Sequence, residues 1–394
     1  MAPLMRRVPA VALLLLVGVI AGTAIVEVGL RLTDTPRSHS YMMADSVLHH
    51  RLRRSWSGRL LGVPFETNAL GLRDREYPAG KPPGTYRIYM LGDSFTEGGG
   101  LVLANTVAKR VEGGLNAGRC GRRFEIVNGG TASYSPILEY LQLKTVGLGL
   151  EPDMVVLNFD MTDVHDDVVR TATARLDAGG LPIAVPSDRR IETAIMLPPI
   201  TKLRVLAFLR PVERALNRLV IYQKLRRSGL GRTVFGPLKL TPERLQALGL
   251  VGDIHYDIEA ITRDGEWPGG REAWALTERY LTAIHRLAAS RGLPFVLVVY
   301  PHAQQVSATA SPVGRRVHAL GPGLYGSARP FQILEDLGAR EGFPVVSLLQ
   351  TFRTREAIEG PLFREDDIHH NDTGARVFAD GILATFTARR LVPC

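Results

Sequence analysis

Tyr86-Arg87-Ile88-Tyr89-Met90-Leu91-Gly92-Asp93-Ser94-Phe95-Thr96-Glu97-Gly98 decides how this 394-residue chain is read. Residues 86–91 are short, mostly apolar and end at Gly92, the pattern of a buried strand. Ser94 then stands just past a strand and just before a helix. A hydroxyl there is exposed at the C-terminal edge of a sheet, beside helix-start N–H groups that favour developing negative charge. The glycines permit a tight turn and a close approach. A plain helix N-cap is the alternative, since Ser and Asp are favoured there. By average composition, however, G-D-S-x-T-x-G is expected in only about one in a few thousand chains of this length.

Runs like 86–91 recur at 124–127, 154–159, 295–300 and 345–349, separated by helical spacing at 102–115, 137–148, 272–291, 332–342 and 373–390. Strands alternating with helices imply a parallel sheet covered on both faces. The expected fold is α/β, a flavodoxin-like doubly wound sheet over residues 85–394, with chemistry beyond the C-terminal strand ends. Two stretches fall outside this rhythm. Residues 34–84 are polar and rich in Gly, Pro and Arg, which reads as a linker and lead-in. The long gap between the third and fourth strands reads as an inserted, mainly helical cap at about 165–270; within it 203–225 is rich in Leu and Arg, with Pro211 as an interruption.

A serine hydroxyl is a weak nucleophile without a base. The other end of the chain offers Asp366-Asp367-Ile368-His369-His370-Asn371-Asp372-Thr373-Gly374, in the loop before the final helix. In a doubly wound sheet that loop opens on the same edge as Ser94. A nearby carboxylate orients a histidine ring and stabilises the imidazolium formed when it takes the serine proton. Chemistry alone leaves His370 open as the base and Asp367 as its orienter, and a polar helix start capped by Asn371 or Asp372 is the plain reading.

Residues 92–98 resemble the first block of the SGNH (GDSL-like) hydrolase family, and 366–374 resemble its last block, D-x-x-H followed by x-N-x-x-G. That register selects Asp366 and His369 beside Ser94 as the catalytic set. The resemblance implies ester hydrolysis or transfer through a serine acyl-enzyme, with no metal and no cofactor. Val127-Asn128-Gly129-Gly130-Thr131-Ala132-Ser133-Tyr134 is similar to the second block; the oxyanion-binding glycine falls on Ser133, with Gly130 close by. Asp160-Met161-Thr162-Asp163 corresponds to the third block, G-x-N-D, with Thr162 in place of the oxyanion-binding Asn. The expected oxyanion donors are therefore Ser94, Ser133 or Gly130, and Thr162. Asn158 is an alternative amide, though its strand position disfavours it. Asp163 and His302 are the expected substrate contacts, a simple loop histidine being the plain reading of His302. Asp160, Asp163, Asp166, Asp167 and His165 have metal-ligand chemistry, but their spacing matches no metal loop and they read as solvated carboxylates.

The N-terminus has its own logic. Arg6 and Arg7 precede residues 8–30, whose only charge is Glu27, a length that crosses a bilayer core. The stretch reads as a membrane anchor over 1–33, in the manner of membrane-anchored bacterial members. Ala21-Gly22-Thr23-Ala24 offers the alternative of a cleaved signal peptide. The arginines favour a cytoplasmic N-terminus and a catalytic domain outside the cytoplasm. The net charge of +9 is scattered, with small clusters at Arg51, Arg53, Arg54 and at Lys224, Arg226, Arg227 and no aromatic interleaving, so nucleic acid is not an expected partner. Cys120 and Cys394 are the two cysteines. The expected substrate is an ester-bearing small molecule, lipid or acylated cell-envelope polysaccharide. An O-acyltransferase with the same triad and a catalytically weak polysaccharide-binding protein are the alternatives.

Overall fold

Five parallel strands carry the molecule: β1 Thr85–Gly92, β2 Arg123–Asn128, β3 Met154–Phe159, β4 Phe295–Val299 and β5 Val345–Ser347. They pair in the order β5-β4-β3-β1-β2, the flavodoxin-like order. This computed structural model describes residues 18, 21–26, 28, 41–78, 80–118, 121–187, 258–267, 269–317 and 320–394.

The strands read as apolar runs because both sheet faces are covered. Side chains alternate faces along a strand, and the core divides accordingly. Val155, Leu157 and Phe159 join one core with α3 Pro136–Thr145, α5 Gly270–Ala289 and α6 Arg329–Glu341. Met154 and Val156 join the other with α2 Val107–Ala117, α7 Leu349–Glu359 and α8 Asp372–Ala388. The ladder pairs Met90 with Asn128 and Gly92 with Asn158, so β1, β2 and β3 finish side by side. Their following loops, at 93, 129 and 160, share one edge.

The strands and helices expected of the sheet domain form with shifted ends. Helix α2 begins at Val107 because Thr106 caps it, its side chain accepting from Lys109 N. Among the described residues further helices form where no helical spacing was read, and two of them pack on the core. Helix α7 follows β5 directly and buries only Leu349 and Phe352, too few for an apolar stripe. Helix α4, Asp163–Thr171, buries Asp163, Asp167 and Arg170, so its inward face reads as polar surface.

The described part of the expected linker, residues 41–78 and 80–83, is ordered structure. It forms two antiparallel pairs, Met42–Ala44 with His50–Leu52 and Ser57–Leu60 with Val63–Glu66, around a small core of Tyr41, Leu52, Leu60 and Phe65. The second turns at Leu61-Gly62, both at positive φ, a type I′ requirement that Leu at the first position disguises. Arg73 is fully buried and donates to the carbonyls of Glu97, Gly98 and Leu101, binding this segment to the turn after Ser94.

The expected cap boundaries also change. Helix α4, the pair Arg175–Leu176 with Pro182–Ala184, and the helix Ile258–Arg263 belong to the same unit as the sheet, Ser38–Asp188 with Ile254–Cys394. Residues 188–257 of the cap, with 203–225 and the Lys224 cluster, lie outside the described residues. So does the expected anchor at 8–30, apart from helical residues 18, 21–26 and 28. Among the described residues no helix is long and apolar enough to cross a membrane. Cys394 is disulfide-bonded; Cys120 lies outside the described residues.

Candidate active site

Strand β1 ends in a turn built around one serine. A Cβ at Gly92, where φ is +153°, would meet Thr96 Oγ1 at 2.1 Å, so only glycine fits. Asp93 caps the short helix α1, Ser94–Glu97, its Oδ1 accepting from Phe95 N at 2.9 Å. Gly98, left-handed, closes the turn. Ser94 Oγ is thereby presented 2.7 Å from His369 Nε2, and His369 Nδ1 lies 2.8 Å from Asp367 Oδ1. The structure thus brings Ser94 and His369 together, as the sequence led us to expect.

The carboxylate is a different one from that expected. Asp366, the family-register choice, turns outward: its side chain is 57% exposed and accepts from Arg364 at 3.3 Å. Asp367 takes the position behind the ring because its loop is folded against a neighbouring segment. Val313 N and Gly314 N donate to Glu365 O at 3.1 Å, and Ser311 Oγ donates to Asp367 O at 2.7 Å. Gly314 lies so near that a Cβ there would stand 2.6 Å from the Asp367 carbonyl carbon. Motif spacing carries no information about that docking.

His370, the alternative base, is a core residue. Its ring sits among Phe95, Tyr300, Phe352, Phe363 and Phe378, and burial pushes its pKa far below the usual histidine range. His369 moves the opposite way. Burial works against its charged form, but the Asp367 hydrogen bond and charge, with Asp93 and Asp160 adding, outweigh it and raise the pKa.

Beneath Ser94 lies a buried acidic chain. Burial, then the charge of Asp160, lifts the Asp93 pKa well above the usual range, and Tyr300 donates to Asp93 at 3.0 Å. Burial also opposes the Asp160 charge, but His302, Thr162 and Asp93 outweigh it and Asp160 titrates low.

These contacts correct several expectations. The Thr162 hydroxyl is spent on Asp160. Gly130 N donates to Asn128 Oδ1 at 3.0 Å, and Gly130 is glycine for packing, since a Cβ would stand 2.2 Å from Glu97 N. Asn158 donates to Thr96 Oγ1 at 3.0 Å and does not replace the missing amide. His302 and Asp163 are wholly buried, so neither touches substrate; His302 Nε2 bonds Asp160, and Asp163 accepts from Asp160 N. Asp160, Asp163 and Asp167 are not solvated either. Asp167 braces α4, accepting from Ile137 N at 3.0 Å and Thr277 Oγ1 at 2.8 Å. Among the described residues no group of three or more Asp, Glu, His or Cys has metal-holding geometry.

Two oxyanion candidates remain, the amides of Ser94 and Ser133, neither with an acceptor among the described residues. Ser133 is exposed at φ +62°, the left-handed conformation that suits the glycine of the second block. Its side chain is the anomaly at that position; its backbone is not.

No protein-family model matches this chain. No curated protein matches it. Several solved structures are similar. An acetyl xylan esterase, AlAXEase, aligns at 14% identity and a TM-score of 0.39, covering 76% of this chain and 98% of that one. A lipase/acylhydrolase from Enterococcus faecalis aligns at 13% identity and a TM-score of 0.38, covering 77% and 96%. TesA aligns at 10% identity and a TM-score of 0.37, covering 77% and 98%. Likeness this distant adds no weight to the chemistry of the site, which stands on its own geometry.

Proposed function

We propose that this chain is an ester-cleaving serine hydrolase of the SGNH type, working through an acyl-enzyme on Ser94. The observation that carries the reading is the continuous hydrogen-bonded line Ser94 Oγ–His369 Nε2 and His369 Nδ1–Asp367 Oδ1, at 2.7 and 2.8 Å. His369 takes the Ser94 proton as Oγ attacks the ester carbonyl, and Asp367 stabilises the imidazolium. The amides of Ser94 and Ser133 are the donors offered to the oxyanion. His369 then protonates the departing alkoxide, and water, activated by the same ring, releases the acid.

With Thr162 engaged elsewhere, the described residues offer no third donor. One such donor is typically worth ~10²–10³ in rate, which favours esters with good leaving groups over amides. The apolar stretch at 8–30 and the disulfide at Cys394 support an extracytoplasmic enzyme tethered by its N-terminus. That location makes acylated polysaccharide of the cell envelope the proposed substrate.

The test uses the full chain in detergent, a fluorophosphonate probe, a short-chain aryl ester, an acetylated polysaccharide and a phospholipid. The expected result is a single adduct on the peptide bearing Ser94, turnover of the aryl ester, and release of acetate in preference to fatty acid. Preferential fatty-acid release would move the substrate to lipid. A folded chain that neither labels nor turns over any of the three would overturn the hydrolase reading.

The pH profile is a second check. His369 must be neutral to accept a proton, and its pKa is raised above 6.5. Activity is therefore full above the raised value and lost as pH falls through it, so the acid limb of kcat/KM is expected above pH 6.5. A limb at or below that value would contradict the Asp367–His369 pairing.

A further inference from the structure

Besides the Arg73 contacts to the turn after Ser94, the segment expected to be a linker reaches the active-site edge at the peptide group between Ala132 and Ser133. Ala132 is held from both sides. Its N–H donates to Glu97 Oε2 at 2.8 Å, and its carbonyl oxygen lies 2.7 Å from His50 Nε2. A trans peptide is planar, with its C=O and its N–H pointing in opposite directions. Holding the Ala132 carbonyl therefore fixes where the Ser133 N–H points. That N–H is one of the two oxyanion donors of the function proposed above, and its residue sits at φ +62°, where an L side chain has little intrinsic preference to stay.

What makes His50 a dependable donor lies further back. His50 Nδ1 is 2.9 Å from His49 Nδ1, and His49 Nε2 is 3.0 Å from an Nη1 of Arg170 on α4. Arginine donates and never accepts, so the directions follow in sequence. Arg170 donates to His49 Nε2, which leaves the His49 proton on Nδ1. That proton is given to His50 Nδ1, which leaves the His50 proton on Nε2, aimed at Ala132 O. The chain needs both rings neutral. Burial, with Arg170 nearby, provides this, lowering His49 to about 3 and His50 to about 4. Tyr134 completes the clamp, its hydroxyl donating to His50 O at 2.7 Å.

We infer that His50, locked in one tautomer by His49 and Arg170, is a positioning residue that holds the Ala132–Ser133 peptide so that the Ser133 N–H faces the oxyanion. The inference rests on the function proposed above. Glu97 alone does not suffice, because it binds the peptide preceding Ala132 and leaves the next one free to rotate.

The test compares His50→Ala, His50→Gln and Arg170→Met in the full chain, with melting temperature, fluorophosphonate labelling, kcat and KM for a short-chain aryl ester. Glutamine keeps an N–H donor at the reach of Nε2; alanine does not. The expected result is kcat lowered ~10–10²-fold in His50→Ala, with KM within about threefold, and largely restored in His50→Gln. Arg170→Met, which frees the tautomer without touching the loop, is expected to lower kcat several-fold at unchanged KM. A kcat per folded molecule within threefold of wild type in His50→Ala would overturn the inference, as would a loss that His50→Gln fails to rescue. If His50→Ala does not fold, an unchanged kcat in Arg170→Met overturns it instead. Wild-type protein that neither labels nor turns over marks failure of the hydrolase reading; labelling and turnover unaffected by these variants mark failure of the relay alone.

Discussion

Ser94→Ala is expected to lower kcat for an ester by ~10³–10⁶, and His369→Ala by a similar factor, with the double variant no worse than either. The non-additivity is the informative part. A hydroxyl without its base and a base without its hydroxyl fail in the same step, so the second substitution has nothing left to remove. Ser94→Ala leaves the fold nearly untouched, because Oγ loses only His369 and a 3.2 Å contact to Asp93, and it is only half-buried. Its melting temperature is expected within ~2 °C of wild type. His369→Ala removes a ring whose centroid lies 4.5 Å from that of Phe95, tilted against it, and costs stability as well, so kcat is read per folded molecule. Retention of more than a tenth of wild-type kcat in Ser94→Ala would remove Ser94 from the chemistry, whatever its hydrogen bonds.

The two ends of the site were legible in the sequence because each is a local solution to a local problem. Gly92 and Gly98 stand where the backbone admits no side chain or turns left-handed, and Ser94 follows from strand end and helix start. His369 is separable from His370 only through packing: adjacent in sequence, one faces Ser94 and the other fills an aromatic pocket. The strands were legible for a similar reason, since a parallel sheet buried on both faces writes itself as unbroken apolar runs.

What was not legible depends on contacts between distant segments. The stretch at 34–84 looked like a linker because its described part is tied to the sheet unit largely by the polar residues Arg73, His49 and His50, whose partners outside the segment lie 24 to 121 positions away. Helix α4 hid for the same reason, its inward face being Asp163, Asp167 and Arg170. Thr162 and Gly130 were misjudged as oxyanion donors because a sequence shows that a donor exists and not whether it is already engaged.

The same limit separates Asp366 from Asp367, and one pair of substitutions resolves it. Asp367→Asn is expected to lower kcat/KM ~10³–10⁴-fold and to move the acid limb of the pH profile to lower pH. Asparagine keeps the shape but not the charge, so the imidazolium formed during attack loses its counter-ion. The direction of the limb follows from the same cause. The Asp367 hydrogen bond and charge raise the His369 pKa against the opposing effect of burial, and without them burial brings it down. A lower pKa leaves more neutral base at acid pH but makes that base weaker, so the rate at the plateau falls while the limb shifts. Asp366→Asn is expected to leave kcat/KM within about threefold, because Asp366 is largely exposed and its ion pair with Arg364 is of the kind that contributes little. The reverse outcome, with Asp366→Asn inactive and Asp367→Asn near wild type, would restore the family register and show that the loop at 365–370 adopts a different conformation in the working enzyme. Equal loss in both would mean that the two carboxylates share the role, a result the outward turn of Asp366 does not permit.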